Sequence, residues 1–221
     1  MKKFKEYIVE FDSPTIYCDM DGVLADFQKF TSEHLGQKFT DENWHELPHD
    51  MFYQLPPMPD AKQLWKFIGK YDPNVLTAIP REGRGPIAER AAEDKKRWMK
   101  KHFSVNDARM YAVKRKNKAN FAKDGRDGRP NVLIDDHLGN IKEFQKRGGI
   151  GVHHTSAANT IRELKKIGYK EFININMKSF KEYILERIDD KEQRNLERKQ
   201  RNLERKKQEL KNLKKKYKES K

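Results

Sequence analysis

The 221-residue sequence contains a single cysteine, Cys18. One thiol excludes an intramolecular disulfide framework and a zinc site built on several cysteines, and makes a reducing, cytoplasmic compartment the default expectation. No apolar run approaches the roughly 18 residues of a membrane helix, so no integral helical membrane protein is expected. The first residues, MKKFKEYIVEFDSP, carry lysine but no apolar stretch, because Lys5, Glu6 and Glu10 interrupt it, and no secretory signal is expected there. Apolar material is thin, at 35% hydrophobic against 37% charged residues. That balance predicts one real core with part of the chain outside it. Acidic residues are also in deficit: 48 Lys and Arg against 34 Asp and Glu leave a net charge of +14.

The excess of positive charge is uneven. From Asp189 to Lys221 there are 14 basic and 7 acidic residues, so this stretch carries +7, half the total. It lacks Gly and Pro and repeats RNLERKQ as RNLERKK, with Leu196, Leu203 and Leu210 recurring every seventh residue. One long basic helix is predicted. Only one seam position is consistently apolar, so self-association through it should be weak, leaving a monomer or a weak dimer. The tail fits a nucleic acid or an acidic partner, or no more than a solvated helical face.

The body alternates short apolar runs with helical stripes. The runs are Thr15–Cys18, Asn74–Ala78, Ala108–Val113, Val132–Ile134 and Ile150–Val152, mostly continuous rather than alternating. Strands buried on both faces of a parallel sheet read this way. Between them, Ile87, Ala88, Ala91, Ala92, Trp98 and Met99 form a helical stripe opened by Pro86. Asn140–Arg147 and Asn159–Ile167 are shorter helices ended by Gly148 and Gly168. The pattern predicts an α/β fold, a three-layer Rossmann-like parallel sheet. The gap from Cys18 to Asn74 is too long for a simple crossover and is rich in aromatics. It is expected to form a small helical cap over the site, most of its aromatics filling the cap's own core.

The polar residues gather where such sheets bind ligands, at the carboxyl ends of the strands. Asp19 and Asp21 follow the first run two residues apart, a spacing that puts both carboxylates on one side of an extended chain. Paired acids can divide labour between a nucleophile or metal ligand and a proton donor. A calcium loop is excluded, since Val23 and Phe30 stand where oxygen ligands belong. Asp135 and Asp136 end the fourth run, as dipole-stabilising acids of the next helix or as part of a hard-cation site suited to Mg²⁺. Thr77 closes the second run, either as a phosphate contact or as an ordinary β-favouring residue. Lys114–Lys118 (KRKNK) supplies a cation for a transferring phosphoryl group. His137 is read as a helix cap, His153 and His154 as structural or surface residues, and Cys18 as a small buried apolar residue.

These segments resemble the four motifs, in order, of the haloacid dehalogenase-like phosphohydrolases, and in detail the 5′(3′)-deoxyribonucleotidase branch. The matching stretches are YCDMDGVLADF (17–27), VLTAIP (75–80), KANFA (118–122) and VLIDDHLGNIKEFQKRGGIGV (132–152). The resemblance covers about residues 14–170 and leaves out the tail. It implies a phosphatase core over 1–22 and 73–180 and a helical cap over 23–72, while composition alone makes 181–221 a basic helical tail. It implies Asp19 as nucleophile and Asp21 as general acid and base. Mg²⁺ would be held by Asp19, the Asp21 carbonyl and Asp135, with Asp136 behind them. Thr77, Ala78 and Lys118 would bind phosphate, with Lys114 and Lys116 as alternatives to Lys118. Phe27, Trp44 and Phe52 would meet the nucleobase. The expected activity is dephosphorylation of (deoxy)nucleoside monophosphates through a phospho-aspartate. Two other readings stand beside it: the same chemistry on nucleic-acid ends, and a nucleic-acid-binding scaffold on a silent body.

Overall fold

The computed structural model describes residues 14–124 and 128–170, together with 198, 201, 202, 204 and 205. The chain divides into two compact units, Met1–Lys170 and Glu171–Lys221. In the second, the described residues Arg198, Arg201, Asn202, Glu204 and Arg205 are helical and exposed. The leucine stripe at 196, 203 and 210 and the stretch 171–180 lie outside the described residues.

In the first unit, β1 (Ile16–Cys18), β2 (Asn74–Ile79), β3 (Met110–Lys114), β4 (Val132–Asp135) and β5 (Ile150–His153) form one sheet in the order β3-β2-β1-β4-β5. Every pairing is parallel. The chain runs outward from β1 to β3 and then returns to the other side of β1 with β4. The switch point therefore lies between β1 and β4, where open α/β sheets bind ligands.

Side chains on these strands divide by the two-residue period. Ile16, Cys18, Val75, Val132 and Ile134 join one buried cluster with Trp98 and Met99. Leu76 and Leu133 join another on the opposite face, with Ile141 and Phe144. Burial on both faces explains why the strands read as continuous apolar runs. The third run starts later than its apolar pattern suggests: Asp107–Arg109 is a 3₁₀ turn in which the Asn106 side chain accepts from the Ala108 N–H, and β3 begins at Met110.

Helices α4 (Pro86–Phe103), α5 (Leu138–Lys146) and α6 (Ala157–Lys166) cover the sheet. The insertion between β1 and β2 contributes α1 (Phe27–Leu35), α2 (Met51–Gln54) and α3 (Ala61–Ile68), with 3₁₀ turns at Asn43–Glu46 and Gly69–Tyr71. Two hydrogen bonds, the first of them buried, tie it to the sheet layers. Trp98 of α4 donates its indole N–H to the Leu55 carbonyl at 2.7 Å. Asp60 accepts from the Ala157 N–H at 2.6 Å, beside Ser156, whose hydroxyl caps the same helix by accepting from Asn159. No helix among the described residues is long and apolar enough to cross a membrane.

The two histidines after β5 diverge, as adjacent strand residues should. His153 reaches the Asp136 carbonyl at 2.9 Å, while His154 is buried with Nδ1 2.8 Å from the Thr160 hydroxyl. Burial holds the His154 imidazole below its ordinary pKa; Asp60 opposes that shift and His153 adds to it. A depressed folded-state value means the unfolded chain takes up the proton first. This contribution to stability is complete above pH about 6.5 and is lost as the pH falls through that range. Thermal melts from neutral to mildly acidic pH should show a steeper loss for the wild type than for His154→Gln. Equal slopes would refute the assignment.

Candidate active site

Strand β1 ends at Cys18, one residue before the first acid. The Asp19 N–H still continues the ladder, donating to the Ile134 carbonyl at 2.8 Å. The chain then turns through Met20 to Gly22, whose φ is +75°. A Cβ at Gly22 would lie 2.2 Å from Asp136 Oδ2. Glycine is required there by conformation and by contact with the second acidic pair. Asp19 and Asp21 thus share one cavity through this turn rather than through strand alternation.

Each of these acids has its own buried lysine. Lys118, on the 3₁₀ segment Arg115–Phe121, places Nζ 2.6 Å from Asp19 Oδ2 and 2.8 Å from Asp135 Oδ2. Burial opposes its charge, but the two carboxylates outweigh burial and raise its pKa. Lys95, on α4 and fully buried, donates to Asp21 Oδ2 at 2.5 Å, Ala78 O at 2.7 Å and Thr77 Oγ1 at 2.9 Å. Its ammonium lies 4.4 Å from the centre of the Phe52 ring. Burial raises the pKa of Asp21, opposed most strongly by Lys95. Asp21 Oδ1 is buried with no protein partner, alone in this among the described side chains.

The second acidic pair is asymmetric. Asp135 is fully buried and its carboxylate is saturated by protein donors. Oδ1 accepts from the His137 N–H and the Asn140 amide, and Oδ2 from Lys118 and the same amide. Asp136 is exposed and lines the cavity. The pKa of Asp135 is pushed up to about 6, first by burial and then by the charge of Asp19. That of Asp136 rises to about 6 because the cavity walls partly desolvate a carboxylate that still opens on the cavity, with Asp19 adding to the shift. Oxygens of Asp19, Asp135 and Asp136 lie within 4.8 Å of one another. An all-carboxylate cluster of this size is the donor chemistry of a hard divalent cation. The sequence reading put Asp135 on the metal and Asp136 behind it. All three acids contribute an oxygen to the cluster, and both oxygens of Asp135 also accept protein hydrogen bonds.

The cavity measures about 1280 Å³ and includes Asp19, Asp21, Lys118, Ala78 and Asp136 on its walls. Thr77 is not on that wall: its hydroxyl is buried against Lys95. Lys114 and Lys116 are exposed, and Lys114 pairs with Glu82, so Lys118 is the lysine of KRKNK that reaches the acids. Phe27, Trp44 and Phe52 all line the same cavity, Phe52 beside Lys95. They are joined by Phe39, which packs edge-on to Phe27 at 5.1 Å and to Trp44 at 5.2 Å. Phe39 and Lys95 were missed in the sequence. His137 holds the N-cap position of α5, but its side chain caps nothing. Cys18 is buried, and its thiol is pushed well above its ordinary pKa by burial and then by Asp19, which disfavours a thiolate.

A parallel α/β sheet with paired acids at the ends of adjacent central strands resembles the haloacid dehalogenase-like phosphohydrolases. A protein of Vibrio phage KVP40, provisionally named a 5′(3′)-deoxyribonucleotidase, is 25% identical over 131 residues, which span 58% of this chain and 69% of that protein. No family model matches the chain. Among solved structures, a hydrolase from Streptococcus pneumoniae TIGR4 aligns over 70% of this chain and 100% of its own, at 12% identity and a TM-score of 0.42. A hydrolase from Pseudomonas syringae aligns over 71% of this chain and 91% of its own, at 17% identity and a TM-score of 0.39.

Proposed function

We propose that the chain is a Mg²⁺-dependent phosphomonoesterase acting on (deoxy)nucleoside monophosphates through a phospho-aspartate at Asp19. One observation carries this reading. Two neighbouring carboxylates in one cavity are held by separate buried lysines, Asp19 by Lys118 and Asp21 by Lys95, and aromatic rings line the same cavity. The provisional name of the phage relative agrees with the substrate class.

Asp19, Asp135, Asp136 and the Asp21 carbonyl would hold the metal, with Asp135 also serving to fix Lys118. When bound there, Mg²⁺ would supply positive charge against the phosphoryl oxygens. Asp19 forms a bond to phosphorus while the ester P–O bond breaks, and Asp21 gives its proton to the departing sugar oxygen. Asp21, now ionised beside Lys95, takes a proton from water. That water attacks the phospho-aspartate, releases phosphate and restores both acids. Lys118 and the backbone at Ala78 would contact the phosphoryl group, and Thr77 orients Lys95. Phe27, Phe39 and Trp44 would receive the base, and Phe52 backs them from beside Lys95.

A phosphate-release panel over nucleotides, sugar phosphates and aryl phosphates tests this proposal. Nucleoside monophosphates should turn over with Mg²⁺, stop with a chelator, recover when Mg²⁺ is restored, and exceed sugar phosphates by about tenfold or more through base stacking. Equal turnover of sugar phosphates would reject the nucleotide assignment, and no release from any monoester would reject the phosphatase.

A further inference from the structure

The cavity exceeds the roughly 300–1,000 Å³ of pockets for single small ligands. Its outer rim carries six cations, Arg81, Arg84, Lys114, Arg115, Lys116 and Arg147, against three acids, Asp41, Glu82 and Glu143. Two of the cations are engaged by two of those acids: Arg84 pairs with Asp41 and lies over the Trp44 ring, and Lys114 pairs with Glu82. Arg115 and Lys116 form no ion pair among the described residues. The sheet brings these cations together. Ile79 is in register with Lys114, so Arg81 beyond β2 and Arg115 beyond β3 leave neighbouring strand ends on one side of the cavity. A nucleoside monophosphate has one phosphate, already accounted for by Lys118 and the acid cluster.

We propose that this rim binds a phosphodiester, so that the preferred substrate is a nucleic-acid strand end whose terminal phosphate enters at Asp19. The inference rests on the phosphatase reading of that site and specifies its substrate class. The next nucleotide's backbone would run past Arg81, Arg115 and Lys116, with the terminal base among Phe27, Phe39 and Trp44. Aromatic faces beside a cationic track are the recurring means of holding single strands without reading their sequence.

The full-length protein with Mg²⁺ is compared on a nucleoside monophosphate, a nucleoside 3′,5′-bisphosphate and dinucleotides with a terminal 3′ or 5′ phosphate. At low salt the better dinucleotide should exceed the monophosphate in kcat/KM by about tenfold, the value of one well-placed charge-assisted contact. That advantage should shrink about two- to threefold on a fourfold rise in salt, as one single-strand phosphate contact requires. Arg81→Ala/Arg115→Ala should abolish the advantage and change monophosphate turnover by less than about twofold. The tail is present in both proteins, so its charge cancels in the comparison. Equal dinucleotide and monophosphate rates, a gain confined to the bisphosphate, or an equal loss on both substrates in the double variant would overturn the inference while leaving the phosphatase intact. Absence of turnover on every one of these substrates would instead indict the underlying reading.

Discussion

Asp19→Asn should lower phosphate release by on the order of 10⁴-fold or more while leaving the protein folded. The carboxamide is close in size to the carboxylate but is no nucleophile toward phosphorus. Its neighbours explain why folding should survive. Lys118 keeps Asp135 at 2.8 Å, so the buried ammonium is not stranded. Asp135 and Asp136 both lose the nearby charge that contributes to their raised pKa values. Rapid-quench labelling with a ³²P-labelled substrate should trap acid-stable phosphoprotein in the wild type and none in the variant. Activity within tenfold of wild type would eliminate the covalent route.

Lys95→Met is the second large effect, and it should reach both catalysis and stability. Methionine replaces the buried stem but not the ammonium, which has three oxygen acceptors. Asp21 would then line the cavity with one oxygen already unpartnered and the other without its lysine donor. The acid left behind is 26% exposed, so the loss should be about 1–3 kcal/mol, that of a hydrogen-bond acceptor stripped of its donor. Urea unfolding should register that loss. In the folded fraction, kcat should fall about 10²-fold, because Asp21, the proposed proton donor, loses the group that orients it. Lys95→Arg should not restore it, since a planar guanidinium cannot reproduce three converging bonds from one nitrogen. A stable, fully active Lys95→Met protein would remove Lys95 from the mechanism.

The strands could be read from sequence because burial on both faces leaves uninterrupted apolar runs, and the acids because they follow those runs directly. Lys95 was hidden by its neighbours. In EDKKR it looks like solvated charge, yet it falls on the helical stripe of Ala91, Ala92, Trp98 and Met99. A lysine on an apolar stripe was the available signal. Phe39 was obscure for a different reason: between Lys38 and Thr40 it has no periodic context, and only the fold of the insertion brings it to Phe27 and Trp44. That Asp135 is the acid clasped by an amide depends on Asn140, in the first turn of the next helix, whose side chain spans both of its oxygens. Adjacent letters do not say which carboxylate another side chain will claim.

Helix α4 has a further consequence. One turn of it bears Lys95, which touches both Phe52 and Asp21, and Trp98, which fastens that turn to the backbone of the insertion. The wall that would judge the leaving group and the acid that would protonate it are therefore joined mechanically. Ligands that leave the aromatic wall empty would still dock their phosphate, but with a poorly aimed proton donor. Their handicap would appear in turnover more than in affinity.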